Sequence, residues 1–471
     1  MTPDDIPWTP AGIEDHLSGN ALDTEPDDGP VPSLDAIADT LLEAGLRPGG
    51  TVLIALPNGT ALLRHFFAVL FAGGVPAPLP AGTPRARIQE IADRLGARLL
   101  LLPAQSAAFR DLPRYGSHGA LAVALPGPGP GTDLGNRVTH RPGDVVLLTS
   151  GTSGISSGCL HPLSSLVHNA RLHAAEVGLC ASDTVLVNLP LNYSYALVAQ
   201  ALAALVTGAR LVISGPPFSP DAYHAALTTA GVTSSSITPT VARALLRGDW
   251  KPPGSLRMLT VGGEAMSTGM TRALLDRGPG TELYLTYGLT QAGPRVSTLA
   301  AHREPPHRLS SVGTPLPGVR VALRSVDPDG TGELLVTSPT VLRGTVGVSE
   351  GRAGELFTGP GQIATGDRFR IDADGYLHFR GRLSDFLVAD GLKVSLASVR
   401  RIANSLPGVV TSATRPYTAE DGDTRFALDL YLLDTRPETV AETERALHRK
   451  LVRGERPGRI RALPAGEAGP K

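Results

Sequence analysis

The chain alternates between apolar runs of strand length and stretches with helical spacing. Residues 33–46 place Leu34, Ile37, Leu41 and Leu42 on one face behind Ser33, a candidate N-cap. Thr51-Val52-Leu53-Ile54-Ala55-Leu56 is a continuous run that suits a buried strand, and an apolar helix is expected over 60–73, closing at Gly73-Gly74. Another helix over 84–95 and a strand at 98–102 follow. The alternation resumes with helices at 163–177 and 197–205 and strands at 184–189, 210–213, 234–238, 258–261 and 282–286. This order predicts an α/β domain built on largely parallel sheets. Residues 1–31, acidic and proline-containing, read as a loose lead-in, and 124–136 as a Gly/Pro loop.

The texture changes near residue 311. Short strands at 319–324, 333–337 and 376–380 lie between Gly/Pro turns, the pattern of a small β-barrel over 311–380. After Gly381 a compact α/β region is expected, with helices at 396–404 and 440–453 and strands near 409–415 and 426–433. We therefore expect a large domain over 1–384 and a small C-terminal domain over 385–471.

Composition narrows the function classes. At 471 residues the chain is too long for one ordinary core. A formal net charge of −1 gives no bulk field toward nucleic acid or membrane, and no basic patch interleaved with aromatics occurs. No apolar run reaches the ~18 residues of a membrane span. Met1-Thr2-Pro3-Asp4-Asp5 has no basic stretch ahead of an apolar one, so no secretory signal is expected. Two cysteines, Cys159 and Cys180, suit a reduced compartment. A cytoplasmic enzyme is the resulting expectation.

The chemistry concentrates after the apolar run Val145-Val146-Leu147-Leu148. Residues 149–159 read Thr149-Ser150-Gly151-Thr152-Ser153-Gly154-Ile155-Ser156-Ser157-Gly158-Cys159. Glycines let backbone come close to a ligand, and hydroxyls and free N–H groups suit phosphate oxygens. The Gly-Lys-Ser/Thr of the common phosphate loop is absent. By itself the run reads more readily as a flexible turn after a strand.

Its order of residues resembles the phosphate loop of the adenylate-forming superfamily of acyl-CoA synthetases, adenylation domains and luciferases, T-S-G-[ST]-[ST]-G-x-P-K-G. Tyr287-Gly288-Leu289-Thr290-Gln291 resembles that family's Y-G-x-T-E, and Thr365-Gly366-Asp367 its T-G-D. Gly381-Arg382-Leu383-Ser384-Asp385, followed by Asp390-Gly391-Leu392-Lys393-Val394, resembles its hinge motif. Weaker echoes are Pro190 to Tyr195, Gly262-Gly263-Glu264 and Val312 to Gly318.

The resemblance implies roles. Thr149, Ser150, Gly151, Thr152, Ser153, Gly154 and Ser157 would line the ATP phosphates. Thr290 would donate to the α-phosphate, where charge develops during attack. Asp367 would accept the ribose hydroxyls, Tyr287 would stack on adenine, and Arg382 would lie near ribose and phosphate. Gly262 and Gly263 would border adenine and the acyl pocket. Tyr193 and Tyr195 would gate that pocket, or be two core aromatics. Asp385 would be the hinge and Lys393 a basic residue of the small domain. Gln291 would stand at the Mg²⁺ position and Lys471 near the catalytic lysine position.

Three of these positions depart from the family. Ser157 replaces the loop lysine, whose charge-assisted hydrogen bond is worth about 1.5–3 kcal/mol. Gln291 replaces the magnesium-binding glutamate, exchanging a charged ligand for a neutral one. Pro470 occupies the catalytic lysine position and Lys471 follows it. Three functions are thus open: an ATP-dependent ligase joining a small carboxylic acid to coenzyme A, a carrier protein or an amine; a transfer-only enzyme using a preformed adenylate or thioester; and a non-catalytic partner subunit.

Overall fold

The computed structural model describes residues 9–25, 32–118, 120–126, 140–149, 157–215, 217–264, 266–347, 356–383, 386–389, 392–420 and 423–465. They divide into two compact units. The larger comprises 1–81, 92–148 and 158–381, and the smaller 82–91, 149–157 and 382–471.

The larger unit holds an eight-stranded sheet. Its order is Ala21–Asp23, Arg210–Ile213, Thr184–Val187, Ser234–Ile237, Met258–Val261, Glu282–Gly288, Arg295–Ala300 and Thr314–Pro315. The first six strands pair in parallel, and the last two are antiparallel. A second sheet has a parallel core of Val75–Pro78, Thr51–Ile54 and Leu99–Pro103, to which Ala120–Ala124 and Arg114–His118 add antiparallel strands. The sheets are therefore mixed, with buried parallel centres. Strands such as Thr51–Ile54 and Met258–Val261 are buried along their whole length, which is why they read as unbroken apolar runs.

The helix Leu163–Val177 packs Leu166, Val167, Ala170, Ala174 and Val177 inward and closes on Gly178 in the left-handed region. The helix expected over 197–205 has a different internal form. Ser194–Ala196 and Ala203–Thr207 are α-helical, but Leu197–Leu202 between them is a π-helix. Its Gln200 is fully buried and donates to the Leu186 carbonyl at 2.8 Å.

The N-terminal lead-in is corrected by the structure. Pro10–Gly19 is a helix, capped by the Thr9 hydroxyl, with Pro10 in the first turn and Ile13 and Leu17 buried one turn apart. Ala21–Asp23 then forms the edge of the large sheet beside Arg210–Ile213. Two apolar side chains and a three-residue strand leave little periodic signal; the element is held by long-range pairing.

The segment expected to be barrel-like forms a five-stranded sheet: Arg320–Arg324, Thr331–Thr337, Gln362–Ile371 and Phe357–Gly359 pair antiparallel in that order, and Leu377–Arg382 also pairs with Gln362–Ile371. Among the described residues these pairings do not close into a ring. In the smaller unit, Val409–Thr418, Thr424–Leu432 and Arg459–Pro464 form a sheet with its own core, including Val399, Phe426, Leu428 and Leu447.

Candidate functional site

Asp367 lies where the sheet is irregular. On the paired strands Leu335 meets Ala364 and Glu333 meets Arg368, so Leu334 faces the three residues Thr365-Gly366-Asp367. Gly366 takes φ +70, the left-handed conformation a bulge exploits. The bulge is tied down on both sides. Thr365 Oγ1 donates to the Leu334 carbonyl at 2.8 Å and accepts from Asp367 N at 3.1 Å. Glu333 accepts from Gly366 N at 3.0 Å. The motif is thus a device that turns a buried carboxylate inward from a strand.

Tyr287 meets that carboxylate. Its hydroxyl donates to Asp367 Oδ2 at 2.8 Å, and its ring packs edge-on against Phe369 at 4.7 Å between centroids. Both Tyr287 and Asp367 are buried. Tyr287 ends the regular part of Glu282–Gly288, and a three-residue 3₁₀ turn, Thr290–Ala292, follows.

The turn brings a second group together. Thr290 Oγ1 lies 3.0 Å from Ser194 Oγ, and the Thr290 carbonyl accepts from His161 Nε2 at 2.9 Å. His161 is fully buried, and burial pushes its pKa down to about 4 despite the Thr290 carbonyl. It is therefore a neutral imidazole carrying its proton on Nε2. Gln291 is part-exposed, and its carbonyl accepts from Leu342 N at 2.9 Å.

Tyr195 is part-buried; its hydroxyl is 3.0 Å from Thr260 Oγ1, which donates to Ser236 Oγ at 2.7 Å. Tyr193 is 39% exposed. Gly262 has no room for a side chain: a Cβ there would fall 2.4 Å from Thr286 Oγ1 and 3.2 Å from Tyr195 Cε1. Gly263 takes φ +91. Glu264 accepts from Thr240 Oγ1 at 3.3 Å.

The other sequence candidates are placed by their elements alone. Thr149 ends the strand Asp144–Thr149 and Ser157 opens Ser157–Pro162. Ser150, Gly151, Thr152, Ser153, Gly154, Asp385, Pro470 and Lys471 lie outside the described residues. Arg382 ends Leu377–Arg382 and is part-exposed, and Lys393 lies on Leu392–Ser395. Among the described residues no group of three or more His, Cys, Asp or Glu side chains could hold a metal ion, and no helix is long and apolar enough to cross a membrane.

Sequence reasoning missed Ser194 and His161. Ser194 sits between the two tyrosines already singled out.

Residues 33–345 match the model of the AMP-binding enzyme family. The chain belongs to that family. It is thereby a member of the adenylate-forming superfamily, as the motifs suggested. It is 30% identical over 394 residues to a feruloyl-CoA synthase of Amycolatopsis sp, covering 80% of this chain and 77% of that protein. It is 27% identical over 463 residues to the salicyl-AMP ligase / salicyl-S-ArCP synthetase of Mycobacterium tuberculosis, covering 92% and 80%. Among solved structures, the amide bond synthetase McbA of Marinactinospora thermotolerans matches with a TM-score of 0.77 at 20% identity over 96% of this chain and 95% of that one. A malonyl-CoA ligase complex with methylmalonyl-CoA and AMP matches with a TM-score of 0.77 at 23% identity over 100% and 99%. These last two likenesses concern the fold.

Proposed function

We propose that this protein is an ATP-dependent acid ligase of natural-product metabolism. It activates a small carboxylic acid as an acyl- or aryl-adenylate and passes the acyl group to a thiol, of coenzyme A or a carrier protein, or to an amine. The observation that carries the reading is the Tyr287–Asp367 hydrogen bond on the Thr365-Gly366-Asp367 bulge. A carboxylate has about four acceptor positions, so one that accepts from Tyr287 can also serve ribose hydroxyls.

ATP supplies the phosphoanhydride whose cleavage drives activation. The chain's own residues bind and orient. Asp367 accepts from the ribose, and the Tyr287 ring offers a face or edge to adenine. Thr290, with Ser194 beside it, presents a hydroxyl to the α-phosphate. Neutral His161 fixes the Thr290 main chain without adding charge. Gly262 lets Thr286 and Tyr195 close against its backbone, beside the adenine and acyl positions. Gln291 is neutral and does not by itself form a magnesium site, so no step is assigned to a metal.

The test is ATP–pyrophosphate exchange across a broad acid panel. Acid-dependent exchange supports the reading; AMP binding without exchange for any acid rejects it. Ser157 and Gln291 favour a second reading, in which only transfer from a preformed adenylate survives. Turnover of a synthetic acyl-adenylate without ATP, with no exchange, would select it.

A further inference from the structure

A cavity of about 140 Å³ lies between the second sheet and two helices. The helix Leu34–Glu43 contributes Ile37 and Leu41, and the helix Thr60–Phe71 contributes His65. Leu101 of the strand Leu99–Pro103, with Ala120 and Ala122 of Ala120–Ala124, lines it from the sheet. These six side chains are buried. None of the lining residues belongs to the site around Thr290 and Asp367.

Small residues keep the space open. Ala36 and Gly116, both exposed, stand at its rim. Gly116 takes φ +83 where the register of Arg114–His118 shifts against Ala120–Ala124, and a Cβ there would fall 3.2 Å from Thr40 Cγ2. Thr40 donates its hydroxyl to the Ala36 carbonyl at 2.9 Å, so its hydroxyl proton is already engaged. An apolar cavity of ~150 Å³ admits benzene, so this volume suits one six-membered ring.

Among the described residues the buried wall carries one polar side chain, His65, which is 4% exposed. Its Nδ1 lies 2.7 Å from the Ala61 carbonyl, which can only accept, so Nδ1 carries the proton. Burial, with the charge of the adjacent Arg64, holds the His65 pKa below that of a free imidazole. The ring is therefore neutral near pH 7 and its Nε2 is an acceptor. No donor among the described residues meets that nitrogen. A carboxylate brings it no proton, and the Arg64 charge opposes a cation. A neutral hydroxyl answers it. Water would also answer it, but would leave the apolar walls wetted.

We infer that this cavity is a second ligand site, for a neutral hydroxylated ring of the size of phenol or cyclohexanol. The hydroxyl donates to His65 Nε2, and the hydrocarbon body packs against Ile37, Leu41 and Leu101. The inference does not depend on the ligase reading.

The experiment titrates the full chain with phenol and with toluene, the same shape without a donor, by calorimetry and thermal shift. Wild type should bind phenol saturably and about fivefold more tightly than toluene, the worth of one hydrogen bond. His65→Leu should remove that preference. Ala122→Leu fills the cavity from the sheet side and should abolish binding. Ala36→Phe covers the exposed rim and should weaken binding at least about tenfold. Because its position is exposed, it carries the test if Ala122→Leu does not fold. No saturable phenol binding, or equal affinity for phenol and toluene in wild type, overturns the inference. So does phenol binding that Ala36→Phe leaves unchanged, since phenol then sits elsewhere. None of these readouts needs pyrophosphate exchange, so a failed ligase reading and a failed second site are told apart.

Discussion

Replacing Tyr287 with phenylalanine removes one oxygen and keeps the ring. The lost group donates to Asp367 Oδ2 at 2.8 Å between two buried residues, so water does not readily take its place. A hydrogen bond to a charged acceptor is worth about 1.5–3 kcal/mol, and Tyr287→Phe should reduce unfolding free energy by that amount. Asp367→Asn should also destabilise the chain, and the double variant should be less unstable than the sum, with a coupling energy of about 1.5–3 kcal/mol. AMP binding separates the partners. Titration calorimetry should find AMP affinity within about threefold of wild type, ~0.65 kcal/mol, for Tyr287→Phe, whose ring remains. Asp367→Asn should lose at least about tenfold, ~1.4 kcal/mol, because a charged ribose acceptor has gone. The reasoning is refuted if Tyr287→Phe leaves stability unchanged but weakens AMP as much as Asp367→Asn does.

Two further outcomes follow from the same site. His161 has a folded pKa of about 4 against 6.5 for a free imidazole, so the unfolded chain binds the extra proton between those values. Stability from this group is therefore full above pH 6.5 and lost as pH falls toward 4, by about 1.4 kcal/mol per pH unit. Urea unfolding of His161→Gln from pH 4.5 to 7.5 should show a slope lower by about one proton; an unchanged slope contradicts the buried neutral imidazole. The double substitution Ser157→Lys and Gln291→Glu restores two charged positions and should raise ATP–pyrophosphate exchange roughly 10- to 100-fold, from one charge-assisted contact of about 1.5–3 kcal/mol. No gain would mean that the missing charges are not what limits the reaction.

Much of the framework was legible because it rests on local periodicity. The helix Leu163–Val177 and the strand Met258–Val261 were read with the observed bounds, since both bury apolar residues at the spacing of their element. The N-terminal helix was not legible, since Ile13 and Leu17 are its only buried side chains and its neighbour strand pairs with residues near 211. The motif residues were visible as letters, but their mechanics were not. The one-against-three bulge at 365–367 depends on pairing with Leu334, and the Thr290–Ser194 contact joins residues 96 apart.

The central claim is that the site activates a carboxylic acid with ATP. Acid-dependent exchange of labelled pyrophosphate into ATP by the purified full chain measures that step before any acceptor is needed. Exchange with at least one acid, reduced in Thr290→Ala and Asp367→Asn, is the predicted result. AMP binding with no exchange for any mono- or dicarboxylic acid would contradict it.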